Sequence, residues 1–368
     1  MFPGPFTSLR TARNRRRDAG GGGGGGESGA AAGSAMDGSA DTDVGDARSR
    51  DTAARLTAPA EVRRWPASFS DRLTAPLPTR QDMLRMMREG GFRGRRDDAD
   101  RIPVRRGALP PITRDQAALT WVGHATYVVR IGGITVLTDP IWSDSIPGVP
   151  RRVTPPGVAW SELPVVDAVV ISHNHYDHLD APTLRRLPRD TPVFVPAALG
   201  RWFTRRGFVD VTELDWWESA ALAGVTFDFV PAHHWSRRTL RDTNRTLWGG
   251  WVITAEDGHR VYHAGDSGYG HWFAEIGARY PGIEVAMMPI GAYSPQWFMH
   301  PSHMDPAEAV RALGDLGAAR LASMHWGTFV LSREPLLEPL DLLHTAWDEA
   351  GRDRADLWDL AVGETRVL

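Results

Sequence analysis

The chain has 368 residues, of which 42% are hydrophobic, and a formal net charge of −3. It is therefore long enough to bury a large core, and it lacks the strongly basic balance expected of a nucleic-acid-binding protein. The absence of cysteine excludes disulfides, thiolate metal sites and cysteine nucleophiles. No apolar run reaches the roughly 18–20 residues of a membrane-spanning helix, and the N-terminal residues lack the order of a signal peptide, so a cytoplasmic protein is expected.

The composition divides the chain into three segments. Residues 1–58 are rich in Gly, Ala, Asp and Arg, with an unbroken glycine tract over Gly20–Gly26, and this composition predicts a disordered tail. Residues 59–116 are predicted to form an N-terminal extension, in which the spacing of Met and Leu indicates a short helix near residues 80–89. Residues 117–368 contain many strand-like segments and form the predicted main domain.

Most predicted elements of the main domain are short strands. Two strands joined by a Gly-Gly turn are expected in ALTWVGHATYVVRIGGITVLTDP. Further strands are expected in VVDAVVI, TPVFVP, VTELDW, VTFDFVPA, WGGWVITA, HRVYHAGD and ARLASMHWG, and helices in APTLRRLP, PAEAVRAL and PLDLLHTAWDEAG. Many strands, few helices and polar residues at the strand ends predict an α/β protein, built as a four-layer αββα sandwich.

The densest group of polar side chains is in ISHNHYDHLD, directly after the predicted strand VVDAVVI. It places His173, His175, Asp177 and His178 within six positions. Imidazole nitrogens and carboxylate oxygens are ordinary ligands of Zn²⁺ and other first-row divalent ions. Because so many ligand-type groups in one loop need a cation to be stable, the segment predicts two metal half-sites, namely His173 with His175 and Asp177 with His178.

A dinuclear site needs further ligands, and three other strand ends offer them. The segment AHHW provides His233 and His234, and MHWG provides His325. The segment AGD provides Asp266, which follows a glycine that permits close approach of the backbone. Asp266 is predicted to be the carboxylate that bridges the two ions.

Taken in this order, HNHYDH, AHHW, AGD and MHWG resemble the metallo-β-lactamase fold superfamily of metal-dependent hydrolases. The chain is most similar to the N-acylphosphatidylethanolamine-hydrolysing phospholipase D family, in phrases such as WVGHATYVVRI, LTDPIWS, ELDWWE, HHWSRRTLRDTN, HAGDSGYG, PIGAYSPQWFM and HMDPAEAV. These phrases lie between roughly Gln116 and Phe329. The resemblance implies the αββα fold, a dinuclear metal site at the strand ends and a catalytic domain over residues 117–368.

The resemblance also implies the ligands of two zinc ions, with manganese and iron as open alternatives. One ion is expected on His173, His175 and a histidine of AHHW, and the other on Asp177, His178 and His325, with Asp266 between them. The ligand in the family stands directly before the Trp, which favours His234. The adjacent His233 leaves this assignment open.

Several residues are expected to support the ligands. The resemblance implies that His303, in HMDP, is functional, and it would position the phosphate or protonate the leaving group. The alternative for His303 is an ordinary polar residue at the start of the helix in DPAEAV. His124, Asp139 and His233 are predicted to lie behind the ligands and to hold their imidazoles in one tautomer. Asp177 and His303 are the predicted catalytic residues.

Aromatic residues are the candidate substrate contacts: Trp217, Tyr293, Trp297 and Phe298. Trp217 is expected either to line a lipid channel or to fill core space. The segment over residues 293–299, YSPQWFM, is too apolar for an ordinary solvent-exposed loop. It is expected to contact acyl chains or a membrane, or to pack in a homodimer interface.

The predicted chemistry is hydrolysis by a metal-bridging hydroxide, because two divalent ions lower the pKa of a shared water. Two ions, Asp177, Asp266 and the hydroxide leave one net positive charge, which suits a phosphodiester. The resemblance implies a phospholipase D-type reaction on N-acylphosphatidylethanolamine-like phospholipids. Peripheral contact with the inner membrane face is also expected. Alternatives are a lactonase or other carbon-ester hydrolase, a di-iron redox enzyme, and a non-catalytic metal- or lipid-binding protein.

Overall fold

The computed structural model describes residues 63–368, so the predicted tail over residues 1–58 lies outside the described residues. Within this range, fourteen strands form two seven-stranded sheets. The first sheet has β1 (Ala118–Gly123), β2 (Thr126–Ile131), β3 (Ile134–Thr138), β4 (Ala168–Val170), β5 (Val193–Pro196), β6 (Val211–Leu214) and β14 (Thr365–Val367), in the order β14-β1-β2-β3-β4-β5-β6. The second has β7 (Glu218–Leu222), β8 (Val225–Val230), β9 (Gly250–Ala255), β10 (Arg260–His263), β11 (Val285–Pro289), β12 (Arg320–Met324) and β13 (Leu357–Trp358), in the order β13-β12-β11-β10-β9-β8-β7.

Helices cover the outer face of each sheet. The described residues form α1 (Arg80–Arg88), α2 (Ala181–Leu184), α3 (Gly200–Thr204), α4 (Trp272–Arg279), α5 (Gln296–Met299), α6 (Pro306–Leu316) and α7 (Glu338–Glu349). Leu184 of α2 and Phe203 of α3 pack on the first sheet, in one cluster with Val128 and Val169. On the second sheet, α6 contacts β11 and β12 and packs against α4 and α7. This layering confirms the predicted αββα sandwich.

The largest core lies between the two sheets. Trp121 and Tyr127 from the first sheet and Phe227 and Trp251 from the second are fully buried there. Successive side chains of a strand point to opposite faces, so Tyr127 contacts this core while Val128 contacts the helices. Since both faces of each sheet are covered, the central strands are apolar on both sides, which explains continuous apolar runs such as VVDAVVI.

Polar residues collect at one edge of the sandwich. Strands β3 to β6 are parallel in the first sheet, and β10 to β13 are parallel in the second. Loops that follow parallel strands open on the same edge of a sheet, which is where α/β proteins place their ligands. The loops after β3, β4, β10 and β12 carry Asp139, His173, Asp266 and His325.

The segment ALTWVGHATYVVRIGGITVLTDP, predicted as two strands, contains the three strands β1, β2 and β3. The prediction is wrong for the part before the Gly-Gly turn, which forms two strands and not one. The first strand ends at Gly123 and the next begins at Thr126. His124 has a φ angle of 56°, in the left-handed region, which ends the extended chain after Gly123. The N–H of His124 donates to Thr328 Oγ1 at 2.7 Å, which holds this turn at the edge where the polar residues collect.

The N-terminal extension contributes α1, at the place where the Met and Leu spacing predicts a helix. The helix begins with a capping box, in which Thr79 Oγ1 accepts from the N–H of Asp82 and the Asp82 carboxylate accepts from the N–H of Thr79. Met86 is fully buried beside Phe298 and Met299. Among residues 63–368, no helix combines the length and the apolar character needed to cross a bilayer.

Candidate metal centre

Nine histidine and aspartate side chains meet at the polar edge of the sandwich, and all but His303 are buried. They form three overlapping groups, in each of which one donor atom per residue lies within 4.8 Å of the others. The groups are His173, His175, His234 and Asp266; His124, Asp177, His178 and His325; and Asp266, His303 and His325. All seven predicted metal ligands are therefore brought together.

The first group has three imidazole nitrogens and one carboxylate. His175 Nδ1 lies 2.8 Å from His173 Nε2 and 3.2 Å from His234 Nε2. Asp266 Oδ2 lies 3.8 Å from the Nε2 atoms of both His173 and His234. Three histidine nitrogens and a carboxylate oxygen make a four-donor set of the kind that zinc takes in proteins.

The second group surrounds Asp177. Its Oδ2 lies 3.1 Å from His124 Nε2, 3.6 Å from His325 Nε2 and 3.7 Å from His178 Nε2. Asp266 connects this group to the first, since its Oδ2 lies 3.2 Å from His178 Nε2 and its Oδ1 lies 3.1 Å from His325 Nε2. Asp266 thus lies between the two groups, where a bridging carboxylate has to be.

The buried donor atoms of these groups fit divalent cations. His178 Nε2, His325 Nε2 and Asp266 Oδ1 are buried without a hydrogen-bond partner. Such atoms are costly to bury unless something pairs with them, and a cation would satisfy all three. Because the donors are nitrogen and oxygen only, the set suits zinc and also accommodates manganese or iron.

Asp139 orients the imidazoles from behind the donor groups. Its fully buried carboxylate accepts hydrogen bonds from His178 Nδ1 at 2.8 Å and from His263 Nε2 at 3.0 Å. It also accepts from the N–H and Oγ of Ser172, at 2.7 and 2.6 Å. Ser172 Oγ in turn accepts from His173 Nδ1 at 2.9 Å. These bonds leave the Nε2 atoms of His173 and His178 facing the donor groups.

The electrostatics of the cluster favour bound positive charge. Burial alone would raise the pKa of Asp139, but His178 and the hydrogen bonds to two histidines lower it to about 2. Burial also opposes ionisation of Asp177 and Asp266, yet His178 and its neighbours hold the pKa of both well below the usual range. Burial would lower the pKa of His325, but Asp266 and Asp177 raise it to about 9. The carboxylates therefore remain charged and attract a cation.

Of the two adjacent histidines, His234 faces the donor groups. Its Nδ1 donates to the carbonyl of Ser302 at 3.1 Å, which directs Nε2 toward the other ligands. His233 points the other way, with its Nδ1 2.6 Å from Thr74 Oγ1 and its ring 5.1 Å from that of His271. The His233 side chain hydrogen-bonds none of the predicted ligands, contrary to its predicted supporting role, because successive residues of an extended segment face opposite sides.

Two further histidines border the donor groups. Burial lowers the pKa of His124 to about 4, so it is neutral near pH 7 and its Nε2 can donate to Asp177. The ring of His303 lies 5.2 Å from that of His234 and 5.6 Å from that of His325. His303 is half-buried, and the loss of hydration there lowers its pKa to about 3. A neutral His303 can donate a hydrogen bond to a ligand, but it carries no extra proton for a leaving group.

The donor groups open into a cavity of about 900 Å³, a volume that includes its solvent-filled mouth. One side, here called the metal floor, is formed by His175, Asp177, Asp266, His303 and His325. Another part of the lining, here called the apolar wall, is formed by residues that include Pro78, Phe92, Val149, Phe298, Val330 and Leu331. The cavity therefore combines a charged base with an apolar side.

Only one of the four aromatic residues predicted to contact substrate lines this cavity, namely Phe298. The structure places Trp217 away from the cavity, packed against the core between the sheets, with the Arg279 guanidinium 5.0 Å from its ring. Of the two readings of Trp217, the structure therefore favours core filling.

The apolar segment over residues 293–299 is covered by other parts of the chain. Tyr293 is buried and its hydroxyl donates to Glu338 at 2.7 Å. The ring of Trp297 packs beneath the Arg85 guanidinium of α1 at 3.9 Å, and its Nε1 donates to Glu89. Neither residue lines the cavity, because Tyr293 is bonded to Glu338 of α7 and Trp297 is covered by α1 of the N-terminal extension.

A family model matches the part of the chain that carries the predicted metal ligands. The model, described as the Beta-lactamase superfamily domain, matches residues 135–326. The chain belongs to the metallo-β-lactamase superfamily. Both the family and the fold expected from the motifs are thereby confirmed.

Similar proteins and a similar solved structure agree with this family membership. The N-acyl-phosphatidylethanolamine-hydrolyzing phospholipase D 1 of Caenorhabditis elegans is 38% identical over 259 residues, which are 65% of this chain and 71% of that protein. The mitochondrial enzyme of the same description from Saccharomyces cerevisiae is 36% identical over 64% of this chain and 53% of its own length. A solved metallo hydrolase from Ignicoccus hospitalis has a TM-score of 0.53 at 25% identity, covering 69% of this chain and 98% of that chain. The protein is a metal-dependent hydrolase of the metallo-β-lactamase fold.

Arg238, inside the superfamily match, is a supporting residue that the motifs did not indicate. Its Nη1 donates to the carbonyl of Asn174 at 3.0 Å, and its guanidinium lies 4.0 Å from the ring of Tyr176. Within residues 63–368, no carboxylate lies within ion-pair distance of this half-buried arginine. Arg238 therefore holds the two spacer residues of the metal-ligand loop. Its only sequence signal is a second arginine four positions after His234.

Ser172 and His263 were also missed. Both donate to Asp139, and both are fully buried. A serine at the end of a strand and a histidine inside one carry no distinctive pattern, so only the folded chain reveals that they share one carboxylate.

Proposed function

We propose that this metal-dependent hydrolase is a zinc-dependent phosphodiesterase that cleaves N-acylphosphatidylethanolamine-like phospholipids in a phospholipase D-type reaction. The observation that carries the proposal is a pair of metal-ligand groups, joined by Asp266, in a cavity that is also lined by an apolar wall. A phosphodiester that carries acyl chains complements both surfaces. The relatives from C. elegans and S. cerevisiae, which hydrolyse N-acyl-phosphatidylethanolamine by name, support this substrate class.

The residues that would hold two zinc ions follow from the two donor groups. One ion would be held by His173, His175 and His234 and the other by Asp177, His178 and His325, with Asp266 shared between them. When bound, the ions supply an activated water as nucleophile and positive charge that stabilises the transition state. A histidine at position 175, rather than a carboxylate, favours zinc over the redox iron of the di-iron alternative.

Residues behind and beside the ligands orient the reacting groups. A water oxygen bonds to phosphorus, and the bond from phosphorus to the N-acylethanolamine oxygen breaks. That oxygen takes up a proton, so the products are phosphatidic acid and an N-acylethanolamine. His124 orients Asp177 by donating to it, and Asp139 orients His178 by accepting from it. His303, neutral at the border of the floor, would donate a hydrogen bond to a phosphoryl oxygen.

The apolar wall would bind acyl chains beside the scissile bond. Phe92 and Phe298 meet edge to face, with ring centroids 5.6 Å apart, and Val330 and Leu331 continue the same surface. Burial of acyl methylenes against such a surface stabilises the complex by roughly 0.8 kcal/mol per CH₂. A substrate without an apolar group would leave this wall in contact with water.

Removal of metal from the full-length protein tests the proposal directly. After treatment with a chelator, release of N-acylethanolamine from N-acylphosphatidylethanolamine is expected to stop, and it should return when zinc is added. Metal analysis of the active protein should find two zinc ions per chain. Hydrolysis that is indifferent to chelation would contradict the metal mechanism.

A substrate panel separates phosphodiesterase activity from its alternatives. An activated water attacks carbonyl carbon as well as phosphorus, so lactones, β-lactams and phosphodiesters are compared with the same zinc-loaded protein. Preference for lactones would replace the proposal with a carbon-ester hydrolase. Iron in the active protein together with oxygen consumption would identify a redox enzyme. Tight metal binding without turnover of any substrate would identify a non-catalytic protein.

A further inference from the structure

The helices on the outer face of the first sheet carry an unusual concentration of arginine. Residues 181–210 and 237–242 together contain nine arginines and three aspartates, although the whole chain has a net charge of −3. The arginines are Arg185, Arg186, Arg189, Arg201, Arg205, Arg206, Arg237, Arg238 and Arg241. This surface, here called the arginine face, is therefore opposite in charge to the rest of the chain.

Most of these arginines have no role in holding the fold together. Within residues 63–368, none of the nine has a carboxylate within 4.0 Å. Arg189 caps the end of α2 by donating to the carbonyl of Leu187 at 2.9 Å. By contrast, Arg185, Arg201 and Arg205 are exposed, and among the described residues their side chains make no hydrogen bond, ion pair or ring contact. Such charges are available to a partner.

Trp202 lies within the arginine face and Trp160 lies beside Arg186 of that face, and a guanidinium group covers the ring of each. Arg206 lies 3.7 Å from the ring of Trp202, and Arg186 lies 4.3 Å from the ring of Trp160. A protein that binds single-stranded nucleic acid needs open aromatic faces on which bases stack. These indole faces are already occupied, which argues against that class of partner.

Exposed aliphatic side chains stand among the arginines. Leu240 is 69% exposed between Arg238 and Arg241, and Val209 is 76% exposed beside α3. Arginines mixed with tryptophan and exposed aliphatic residues are typical of a surface that rests on lipid headgroups and inserts shallowly below them.

We propose that the arginine face docks the protein on the anionic headgroups of a phospholipid bilayer. Guanidinium groups pair with phosphate through two hydrogen bonds, and arginine-rich surfaces bind anionic leaflets in proportion to their charge. The face is continuous with the metal centre, because Arg238 lies 5.5 Å from the Trp202 ring and donates to the carbonyl of Asn174 in the metal-ligand loop. The docking goes beyond the proposed function, since it requires neither metal nor turnover.

The test measures sedimentation of the full-length protein with vesicles. Vesicles of phosphatidylcholine that contain phosphatidylglycerol should bind the protein, vesicles of phosphatidylcholine alone should not, and added salt should release it. A variant with Arg185→Gln, Arg201→Gln and Arg205→Gln should bind about ten-fold or more weakly. Since these side chains make no internal contacts, the variant should keep the thermal stability of the wild type.

A charge-matched variant provides the control. It carries Arg279→Gln, Arg311→Gln and Arg352→Gln, which lie on or beside the helices of the second sheet. This control should bind anionic vesicles as the wild type does. Equal binding of both variants, or equal binding of the wild type to neutral vesicles, would overturn the proposal. Tighter binding to single-stranded RNA than to anionic vesicles would overturn it in favour of a nucleic-acid partner.

Activity separates this proposal from the proposed function. On substrate dispersed in detergent, the Arg185, Arg201 and Arg205 variant should turn over at the wild-type rate, whereas on anionic vesicles its rate should fall with its binding. Loss of vesicle binding in a protein that hydrolyses no phospholipid would still support the docking surface while contradicting the proposed substrate.

Discussion

The metal floor and the apolar wall of the same cavity are built in opposite ways. The floor and the ligands beside it are polar side chains, several of which are held in place by another polar group, as when Asp139 holds His178 or the carbonyl of Ser302 holds His234. The wall consists of apolar side chains from segments far apart in the chain, among them Phe92 and Leu331. Because the floor depends on hydrogen bonds, it should tolerate no substitution. Because the wall depends on shape, substitutions there should change the substrate specificity gradually.

The largest effect is expected from Asp266→Asn in the metal floor. The amide keeps the size of the carboxylate but removes the charge that both donor groups share. Loss of a residue behind a metal ligand typically costs 10–100-fold in metal affinity or activity, so loss of a shared ligand should cost more than about 100-fold. Zinc content and hydrolysis are measured together. Asp348→Asn, at an exposed position in α7, should change neither. Full activity of the Asp266 variant would exclude its place in the centre.

A smaller loss is expected from Asp139→Asn, which leaves every donor atom in place. The amide cannot accept from Ser172, His178 and His263 as the carboxylate does, so His178 loses its fixed tautomer. Zinc affinity should fall by about 10–100-fold, measured by competition with a chelator. Asp167→Asn, which alters a partly exposed carboxylate bonded to the N–H of Thr135, serves as the matched control. Unchanged zinc affinity would show that the ligands orient themselves.

The backbone below the floor is tested by Gly265→Ala. An added Cβ would lie 2.5 Å from Ser172 Cβ, so Ser172 would have to move and would disturb its bond to His173. The residue also has a φ of +60°, which alanine adopts with strain. Gly317→Ala has nearly the same φ, +66°, with nothing within 4 Å of the added Cβ. Both variants should lose about 1 kcal/mol of stability from the strain, and only the first should also lose zinc affinity.

These contrasts explain how much the sequence could predict. The ligands of the floor follow strand ends, and four of them share the ten residues of ISHNHYDHLD, so local pattern was enough to group them. The choice between His233 and His234 depends on which side of an extended segment faces Asp266, and the sequence alone left it open. Strand β7 was missed because ESAAL has no clear apolar alternation, and helix α4 was missed although Phe273, Ile276 and Tyr280 follow helical spacing.

The residues of the apolar wall were not predicted, for a different reason. Its residues become neighbours only through contacts such as that of the Arg333 guanidinium, which donates to the carbonyls of Met86 and Gly91 and so ties α1 to the segment after His325. No local pattern signals an interaction between residues more than 200 positions apart. The aromatic segment over residues 293–299 was assigned to substrate for the same reason, since its partners in α1 were unknown.

The wall is tested by Phe92→Ala, which should act on substrate and not on metal. Removal of the ring widens the cavity beside Phe298 and takes away apolar contact with acyl chains. KM for long-chain substrate should rise about three- to ten-fold, while zinc content stays that of the wild type. Leu84→Ala, at a residue of α1 that is 56% exposed, should leave KM unchanged. An equal change in KM for short- and long-chain substrates would contradict the role of the wall.

The smallest effect concerns an exposed counterpart of the histidine–carboxylate pairs of the floor. His259 Nδ1 lies 2.7 Å from Glu284 at the surface, and although burial would lower the pKa of His259, the bond to Glu284 raises it above 6.5. The pair therefore stabilises the fold fully below about pH 6.5, and this contribution is lost as the pH rises through the raised pKa. His259→Gln should lower the free energy of unfolding at pH 5.5 by a few tenths of a kcal/mol, because solvent screens an exposed pair. At pH 9 the two proteins should unfold at the same urea concentration. A larger loss of unfolding free energy at pH 9 than at pH 5.5 would show that His259 acts through packing. The difference from the buried histidine–carboxylate pairs would then be one of packing contacts and not of charge.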